Sequence, residues 1–248
     1  MIFYLLGKSG SGKDTILKEL LKDEELSLRP FTLYTTRPIR PGEKNGREYN
    51  FITEEEAKEL ERSKRLIEMR VYNTVYGPWK YMSYDNISIT DGDEYREKIL
   101  PECNYITIGT LESYVKYVNY YGNENIIPVY ISADRDIRRE RACLRLIKRQ
   151  DTSAESDGKQ VHEYGADISG DGTFKLLSKS ELEEIDRRLK ADEADFSDDN
   201  LKKCGIDMSF DNSGKLEDCV NKIKEHITDI LRAKEIKPLG NAKSAGNI

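Results

Sequence analysis

A glycine-rich stretch near the start of the chain limits the possible folds more than any other feature. The sequence GKSGSGKDT, residues 7–15, follows the apolar run 1–6 and leads into residues 14–22, whose apolar side chains recur at helical spacing. The glycines let successive backbone N–H groups turn towards one anion, and the helix that follows contributes the positive end of its dipole. The pattern therefore predicts a buried strand, a phosphate-binding loop and a helix, which together open an α/β fold.

The residue types in this loop indicate a triphosphate ligand. Lys13 occupies the position of the lysine that lies between the β- and γ-phosphates of ATP, which makes it a candidate catalytic residue. Asp14 replaces the Ser or Thr whose hydroxyl normally contacts Mg²⁺, and two roles are open to it. It anchors Mg²⁺, directly or through water, or it is only a favourable carboxylate at a helix N-terminus. We expect ATP to be bound by Gly7, Ser9, Gly10, Ser11, Gly12, Lys13, Asp14 and Thr15.

Composition and charge argue against several other classes of protein. With 248 residues the chain is long enough for one large α/β domain with inserts, and its formal charge of −6 argues against sequence-independent binding of nucleic acid. The four cysteines have no CxxC spacing and there are only two histidines, so a zinc site is not expected. The apolar run at the N-terminus is too short for a signal peptide or a membrane span. We expect a cytoplasmic protein, a monomer or a homodimer, with no nucleic-acid or membrane partner.

In the middle of the chain, a β-rich segment, a basic helix and an acidic segment flank a stretch with an α/β pattern. Residues 31–88 contain short β-like runs between turn residues, with one helical segment at residues 54–62, which indicates a small, mainly antiparallel module inserted in the core. A basic helix over residues 135–149 precedes an acidic segment that is rich in loop formers and is expected to be a long excursion from residue 151. Between these regions the α/β pattern returns as a strand, a helix and a strand at residues 105–108, 111–121 and 126–131.

The C-terminal part is predicted to be mostly helical. Helical patterns cover residues 180–195 and 214–231, with a short strand candidate at residues 208–210 between them. The second of these helices is amphipathic, with its aliphatic side chains on one face. Residues 233–248 have no apolar periodicity and are expected to be disordered.

A second motif, YTTRPIRPGEKNGREYNFIT at residues 34–53, suits the binding of a phosphate monoester. Arg37 and Arg40 are three positions apart around a proline, and Tyr49 follows in an extended segment. Planar guanidinium groups offer paired N–H donors that match phosphate oxygens. Judged by residue types alone, a solvated basic turn is an equally good interpretation of this stretch.

At this motif the sequence resembles the guanylate kinase family, in which a strand, a P-loop and a helix are followed by a GMP-binding module. Residues 35–51 match that family's motif T-T-R-x-x-R-P-G-E-x-x-G-x-x-Y-x-F at every fixed position. Glu68 looks like the family's guanine-reading carboxylate, and Tyr76 looks like the tyrosine that completes its phosphate clamp. The resemblance implies that GMP is bound by Arg37, Arg40, Tyr49, Glu68 and Tyr76.

The resemblance extends to a lid that carries arginines. The segment RLIKRQDT from Arg145 looks like the family's lid segment, and RRL at residues 187–189 looks like its later arginine pair. Arg138 and Arg139 of the basic helix are instead expected to pair with nearby acids on a solvated face. The catalytic residues implied by the resemblance, which would surround the transferring phosphoryl group, are Lys13, Arg145, Arg149 and Arg188.

The implied fold is the three-layer α/β fold of P-loop NTPases, with a parallel core sheet, a small mainly antiparallel nucleoside-monophosphate-binding module and a mobile lid. We expect one domain over residues 1–232, in which residues 31–88 bind the acceptor and residues 150–199 form the lid, its insert and the following helix. Residues 152–183 have no clear counterpart in the family. The core of this domain is expected to comprise residues 1–30, 89–149 and 200–232.

Several positions depart from the family pattern near the base and the metal. Leu33 and Pro78 stand where the family has polar residues close to guanine. The strand that usually ends in D-x-D reads Thr107-Ile108-Gly109, which removes a base contact and a carboxylate near Mg²⁺. The phosphate clamp is thus complete while the base reader is altered. Glu68 still accepts from guanine N1 and N2 in this scheme, and we expect weaker discrimination between bases.

The resemblance implies Mg²⁺-dependent transfer of the γ-phosphoryl group of ATP to GMP or dGMP. Two alternatives stay open. The loop order G-K-D is also similar to that of ribose 1,5-bisphosphate phosphokinases, so the acceptor is alternatively a different phosphate monoester or another nucleoside monophosphate. The other alternative is a catalytically inert guanylate-kinase-like binding module, although such domains usually have a degraded loop and Gly12 and Lys13 are present here.

Overall fold

The computed structural model describes residues 1–40, 42–74, 77–87, 103–155 and 177–235. Strands alternate with helices along most of this length, as expected for an α/β protein. The strands are β1 (Ile2–Leu6), β2 (Leu28–Pro30), β3 (Tyr34–Thr35), β4 (Asn50–Phe51), β5 (Leu66–Thr74), β6 (Gly77–Tyr84), β7 (Asn104–Ile108), β8 (Ile126–Ser132) and β9 (Ser209–Asp211). The helices are α1 (Lys13–Leu21), α2 (Glu54–Arg62), α3 (Leu111–Tyr121), α4 (Arg135–Glu155), α5 (Lys179–Asp195), α6 (Asp198–Lys203) and α7 (Leu216–Glu235).

The core sheet has the spatial order β2-β7-β1-β8-β9, and each neighbouring pair of strands is parallel. Its central strand β1 is buried along its whole length, in agreement with the continuous apolar sequence of that strand. Successive side chains of β1 point to opposite faces, so Tyr4 lies in one hydrophobic cluster and Phe3 and Leu5 lie in another. The sheet therefore has an apolar face on each side.

Helices cover both faces of this sheet. Ile16 of α1 and Ile223 of α7 lie in the same cluster as Phe3 and Leu5. On the opposite face α3 contributes tyrosines, and the ring of Tyr117 packs edge-on against Tyr4 with centroids 4.9 Å apart. The helix–sheet–helix arrangement confirms the predicted three-layer fold with a parallel core sheet.

A second sheet has the order β4-β3-β6-β5. Strand β6 is antiparallel to both of its neighbours, while β3 and β4 pair in parallel, which confirms the expected mainly antiparallel module. The helix α2 that interrupts this module begins at a capping box, in which Thr53 and Glu56 bond to each other's backbone N–H groups. Strand β5 lies at the edge of the sheet, with Glu68 opposite Ser83 and Arg70 opposite Tyr81 on β6.

Helices α4 and α5 pack against each other through a separate hydrophobic cluster. Arg139 of α4 donates from Nε to Oδ1 of Asp186 on α5 over 2.7 Å. Arg138 is only 1% exposed and pairs with Glu193 of α5. The expected solvated position of Arg138 is therefore wrong, because α5 covers that part of α4 and supplies the acids for both arginines.

Other expectations differ from the structure in detail. Helix α4 continues to Glu155, so residues 151–155 are helical and are not part of the expected excursion. Helix α6 was not predicted, since Leu201 is the buried residue within its six and gives no periodic signal. Residues 156–176 and 236–248, which contain much of the insert and most of the tail, lie outside the described residues. Within the described ranges, no helix is both long enough and apolar enough to cross a bilayer.

Candidate active site

The loop between β1 and α1 has the backbone geometry that its glycines predict. Gly10 and Gly12 have φ angles of 80° and 91°, in the left-handed region that glycine adopts without strain. Neighbouring atoms also leave no room for side chains at these positions. A Cβ on Gly10 would lie 2.6 Å from the carbonyl oxygen of Arg138, and one on Gly12 would overlap the side-chain amide of Asn212. The loop is therefore fixed closely against the elements around it.

Two residues that the sequence did not single out brace this loop. Asn212, which directly follows β9, donates from Nδ2 to the carbonyl oxygen of Ser11 over 2.8 Å. Arg141 of α4 donates to the carbonyl oxygen of Asn212 over 2.8 Å and to that of Gly10 over 3.4 Å. These contacts join residues that are far apart along the chain, so no local pattern signals them. They tie the loop to β9 and α4.

Lys13 and Asp14 lie at the start of α1. Nζ of Lys13 donates to the carbonyl oxygen of Lys8 over 3.4 Å. Burial lowers the pKa of Lys13, and the nearby carboxylates of Asp14 and Asp192 oppose this effect. Asp14 itself is exposed, and no side chain caps the N-terminus of α1 by a hydrogen bond. The carboxylate of Asp14 therefore interacts favourably with the positive end of the helix dipole, but it does not cap the helix by a hydrogen bond.

Acids of α5 reach the phosphate-binding loop. The backbone N–H of Ser9 donates to Oδ2 of Asp192 over 2.5 Å. Glu193 pairs with Lys8 of the loop and with Arg138 of α4. The carboxylate of Asp192 thus accepts a hydrogen bond from an N–H group that is predicted to bind phosphate. It carries a negative charge, as the predicted ligand does. The sequence showed only an acid-rich segment here and gave no sign of which acid meets the loop.

Arg37 is held rigidly just after β3. It is 3% exposed, and its guanidinium donates to Oε1 of Glu43 and to the carbonyl oxygen of Pro38, both over 2.8 Å. The guanidinium carbon lies 5.6 Å from the ring centroid of Tyr49 and 5.4 Å from that of Phe51. The hydrogen bond from Arg37 holds the pKa of Glu43 below its usual value. An ion pair and two aromatic rings therefore orient this arginine.

Arg40 and Tyr49, two of the other predicted clamp residues, are connected to Arg37. The exposed Arg40 donates its backbone N–H to Oε2 of Glu43 over 2.8 Å, so Glu43 links both arginines of the motif. Tyr49 packs edge-on against Tyr81 with centroids 5.6 Å apart, and burial raises the pKa of Tyr49. Tyr76 lies outside the described residues. The structure thus places Tyr49 beside Arg37 and links the backbone of Arg40 to Arg37 through Glu43.

Glu68, the candidate base reader, is enclosed between β5, β6 and α3. Its side chain is 2% exposed, and Oε2 accepts from the hydroxyl of Ser113 over 2.9 Å. Oε1 accepts from Ser83 and from Nη2 of Arg70, each over 3.3 Å. Nζ of Lys116 lies 3.8 Å from Oε2. Both carboxylate oxygens therefore already have partners, and Arg70 is one that the sequence did not indicate.

The residues that depart from the family pattern have structural roles of their own. Thr107 is 4% exposed and its hydroxyl donates to the carbonyl oxygen of Phe31 over 3.4 Å. A Cβ at Gly109 would overlap the hydroxyl of Tyr4, so any side chain there would displace a buried tyrosine. The carboxylates expected from the family at these two positions are thus replaced by internal packing.

One cleft of about 710 Å³ connects the phosphate-binding loop to the second sheet. The loop contributes Gly7, Ser9 and Lys13 to its walls, and the second sheet with its connections contributes Leu33 and Tyr49 among others. The end of β7 and the start of α3 form a third side, and the α5–α6 region closes a fourth. Its remaining lining residues include Arg70, Tyr72, Ile108, Gly109, Thr110, Glu112, Asp192, Phe196 and Asn200.

The lid arginines lie beside a second, smaller cavity of about 320 Å³ between α4 and α5. Arg145 and Arg188 both line it, together with Ser9 and Gly10 of the phosphate-binding loop. The structure thus brings two of the predicted lid arginines close to that loop. Arg149 lies on α4, but its side chain is outside the described part of the structure. Arg187 is paired with Glu184 on the exposed side of α5.

The residues around Lys13 fit a Mg²⁺ ion that arrives with a nucleotide better than a cage made by the protein. Within the described ranges, no group of three or more His, Cys, Asp or Glu side chains could hold a metal ion. Asp14 is exposed close to Lys13, and its carboxylate is a hard oxygen ligand of the kind that Mg²⁺ prefers. Mg²⁺ in nucleotide sites commonly takes one or two carboxylates and fills its other positions with phosphate oxygens and water.

A parallel core sheet that opens with a P-loop, a second sheet that carries paired arginines and a helical pair beside the loop define the fold class of the P-loop nucleoside monophosphate kinases. A family model for guanylate kinase matches residues 2–82, which include the loop, the arginine motif, Glu68 and Tyr76. Residues 2–82 of the chain are thus similar to the guanylate kinase family.

Curated relatives and a solved structure show the same similarity. The chain is 42% identical to the guanylate kinase of Schizosaccharomyces pombe over 74 residues and 46% identical to that of Thermotoga maritima over 78 residues, which are 29% and 31% of this chain. Each match spans 37% of the relative's length. The crystal structure of guanylate kinase from Anaplasma phagocytophilum superposes with a TM-score of 0.50 at 18% identity, over 96% of this chain and 87% of that one. The sequence likeness is thus N-terminal, whereas the likeness of fold extends along the chain.

Proposed function

We propose that this protein transfers the γ-phosphoryl group of ATP to the phosphate of GMP or dGMP. A phosphate oxygen of the acceptor attacks the γ-phosphorus, and the bond from that phosphorus to the bridging oxygen of ATP breaks. The bridging oxygen leaves with the electron pair as part of ADP, and the acceptor becomes GDP or dGDP. The proposal rests on the similarity of residues 2–82 to guanylate kinases and on the arrangement of the site.

The cleft of about 710 Å³ is the observation that carries this proposal. Lys13 lines it from the phosphate-binding loop, and Tyr49 lines it from the arginine motif. Donor and acceptor phosphates bound to these two loops would therefore share one cavity. Alignment of the reactants and neutralisation of charge are most of what a protein contributes to phosphoryl transfer.

The donor end of the cleft would hold ATP. The loop amides and Lys13 would bind the β- and γ-phosphates, and Arg145 and Arg188 would neutralise the transferring group from the lid, with Arg149 as a third candidate. Asp14 would hold the Mg²⁺ ion, which supplies positive charge to the phosphate oxygens when it is bound.

The acceptor end would hold the nucleoside monophosphate. The pair of Arg37 with Glu43 pre-orients a guanidinium towards the clamp, and a phosphate would add to or displace that carboxylate. Arg40, Tyr49 and Tyr76 complete the proposed clamp, and Glu68 is the proposed acceptor of the guanine N1 and N2 hydrogens. The predicted division into a core, an acceptor module at residues 31–88 and a lid at residues 150–199 is part of this proposal.

The proposed setting is the cytoplasm, with ATP and a guanine nucleotide as ligands. The four cysteines are free thiols, in agreement with a reducing compartment. Burial raises the pKa of the Cys143 thiol, which keeps it protonated and unreactive.

A coupled assay of ADP release with ATP and Mg²⁺ tests the proposal. The acceptors to compare are GMP, dGMP, AMP, UMP, CMP and ribose 1,5-bisphosphate, each with the wild-type protein and with Lys13→Met as the control for contaminating kinases. We expect turnover with GMP and dGMP that the Lys13→Met protein lacks. Turnover confined to another acceptor would overturn the GMP assignment, and no turnover with any acceptor would identify an inert binding module.

A further inference from the structure

Arg70 is a cleft residue that neither the arginine motif nor the loop accounts for. It lies on β5 two positions after Glu68, so both side chains are on the same face of the sheet. The side chain of Arg70 is 26% exposed and that of Glu68 is 2% exposed. Arg70 lines the cleft, together with Leu33 and Tyr72. A ligand that enters this end of the cleft therefore meets Arg70 in front of Glu68.

The guanidinium of Arg70 has donor capacity that its protein contacts leave unused. Nη2 donates to Oε1 of Glu68 over 3.3 Å, a long contact for a charged pair. Its Nε is buried and has no hydrogen-bond partner among the described residues. A buried donor without a partner is unfavourable, so the protein contacts of Arg70 do not satisfy its guanidinium. The 26% of the side chain that is exposed lies at the cleft, where a ligand with acceptor atoms could interact with it.

The neighbouring residues define which ligand atoms would suit this position. Glu68 has its oxygens occupied by Ser83, Ser113 and Arg70, with Lys116 close by. Leu33 on the cleft wall offers no hydrogen bond to a base. Two acceptor atoms side by side match the fork of an arginine, and guanine presents such a pair at O6 and N7.

We propose that Arg70 reads the base of the acceptor nucleotide, by donating hydrogen bonds to O6 and N7 of guanine while Glu68 accepts from N1 and N2. This inference rests on the proposed function in taking a guanine nucleotide as the acceptor. Arg70 then supplies the recognition of the O6 side that the apolar Leu33 and Pro78 do not supply. The base reader is an Arg70–Glu68 unit on one strand.

A comparison of GMP with 7-deaza-GMP tests this proposal, because the analogue lacks N7 and keeps O6, N1 and N2. We expect wild-type protein to prefer GMP in kcat/KM by about fivefold or more, since a good bidentate contact discriminates by about 1–3 kcal/mol. In Arg70→Met the preference should fall to about one, because the donor to N7 is gone. Arg62→Met, an exposed arginine at the end of α2, serves as the matched control and should keep the wild-type ratio.

Loss of Arg70 also removes a charged partner of a buried carboxylate, so folding must be controlled. The double variant Glu68→Gln/Arg70→Met replaces the ion pair by neutral groups, and its ratio of GMP to 7-deaza-GMP should likewise be about one. An unchanged preference for GMP in the two Arg70 variants would overturn the proposal. Equal use of GMP and 7-deaza-GMP by the wild-type protein would overturn it as well.

Calorimetric binding of the same two nucleotides separates this inference from the proposed function. Binding that depends on N7 and on Arg70, without turnover, would contradict the kinase activity and support the base contact. Turnover of GMP with no dependence on N7 would support the kinase and contradict the role of Arg70. Absence of both binding and turnover with GMP would contradict both.

Discussion

The two loops that are proposed to bind phosphate are held in different ways. The arginine motif is nearly self-contained, because Arg37 finds Glu43, Tyr49 and Phe51 within residues 35–51. The P-loop is braced from outside by Asn212 and by helices α4 and α5. A loop with local partners is specified by its own sequence, whereas a braced loop depends on residues that are far away along the chain. Substitutions at these partners should therefore have different consequences in the two loops.

The largest effect is expected at the self-contained loop. Arg37→Met should lower the free energy of unfolding by about 3 kcal/mol, because it leaves Glu43 without the partner of a largely buried ion pair. It should also raise the KM for the acceptor strongly while leaving the KM for ATP near its wild-type value. Urea denaturation and steady-state kinetics measure the two effects.

Arg47→Met is the matched control for this substitution. Arg47 lies in the same segment, but its side chain is 55% exposed and its ion pair with Glu48 is at the surface. The free energy of unfolding should change by less than about 0.5 kcal/mol. Equal destabilisation by the two substitutions would contradict the central position given to Arg37.

A smaller effect is expected when the brace of the P-loop is removed. Asn212→Ala deletes the donor to the carbonyl oxygen of Ser11, which should destabilise the protein by about 1–2 kcal/mol and weaken ATP binding by about tenfold. The KM for the acceptor should stay near its wild-type value, because the arginine motif has its own partners. An equal weakening of ATP binding and of acceptor binding would show that the two loops are not held independently.

The opposite sign is expected at Asp192. Asp192→Ala frees the N–H of Ser9 and removes a negative charge from the place where phosphate is expected, so ATP should bind about fivefold more tightly. Calorimetric titration with ATP and Mg²⁺ measures this change. Glu183→Ala removes the same charge from an exposed position of α5 and should leave the affinity unchanged. Unchanged or weaker binding by Asp192→Ala would mean that the carboxylate does not compete with the nucleotide.

The same contrast explains how much of the molecule the sequence could predict. Strand β1, the P-loop and α1 follow one another along the chain, and their patterns were read with boundaries correct to about one residue. Most partners of Arg37, including Glu43, Tyr49 and Phe51, lie inside one motif, so its role as part of a clamp could be proposed from the sequence. Its interaction with Tyr81 of β6 lies outside that motif and could not be predicted in this way. Asn212 and Asp192 reach the P-loop only through the packing of β9 and α5, and single-sequence patterns contain no information about such contacts.

Buried charge was the other feature that local patterns missed. Arg138 was expected at the surface because a basic helix usually has a solvated face, but its pairing with Glu193 places it inside. Arg70 could have been noticed because it and Glu68 are the two charged residues of the otherwise apolar and aromatic segment 66–72. The sequence does not show that Arg70 pairs with a buried Glu68, because the burial of Glu68 depends on the packing of β5 against β6 and α3.

The smallest effect is expected at Asp14, where the P-loop departs from its usual sequence. Asp14→Ser restores the common hydroxyl but removes a carboxylate close to Lys13, so the Mg²⁺ concentration for half-maximal activity should rise by about threefold, the size expected for an exposed charge. The free energy of unfolding should change by less than about 0.5 kcal/mol, because no hydrogen-bonded cap is lost. Full activity of Asp14→Ser at the wild-type Mg²⁺ concentration would mean that Asp14 only interacts with the helix dipole and does not anchor Mg²⁺. A raised Mg²⁺ requirement at unchanged stability would instead mean that Asp14 supplies the negative charge that the family pattern has at position 107, where this chain has Thr107. The metal site would then be specified by the P-loop sequence itself, whereas the contacts of Asn212 and Asp192 with the loop depend on distant parts of the chain.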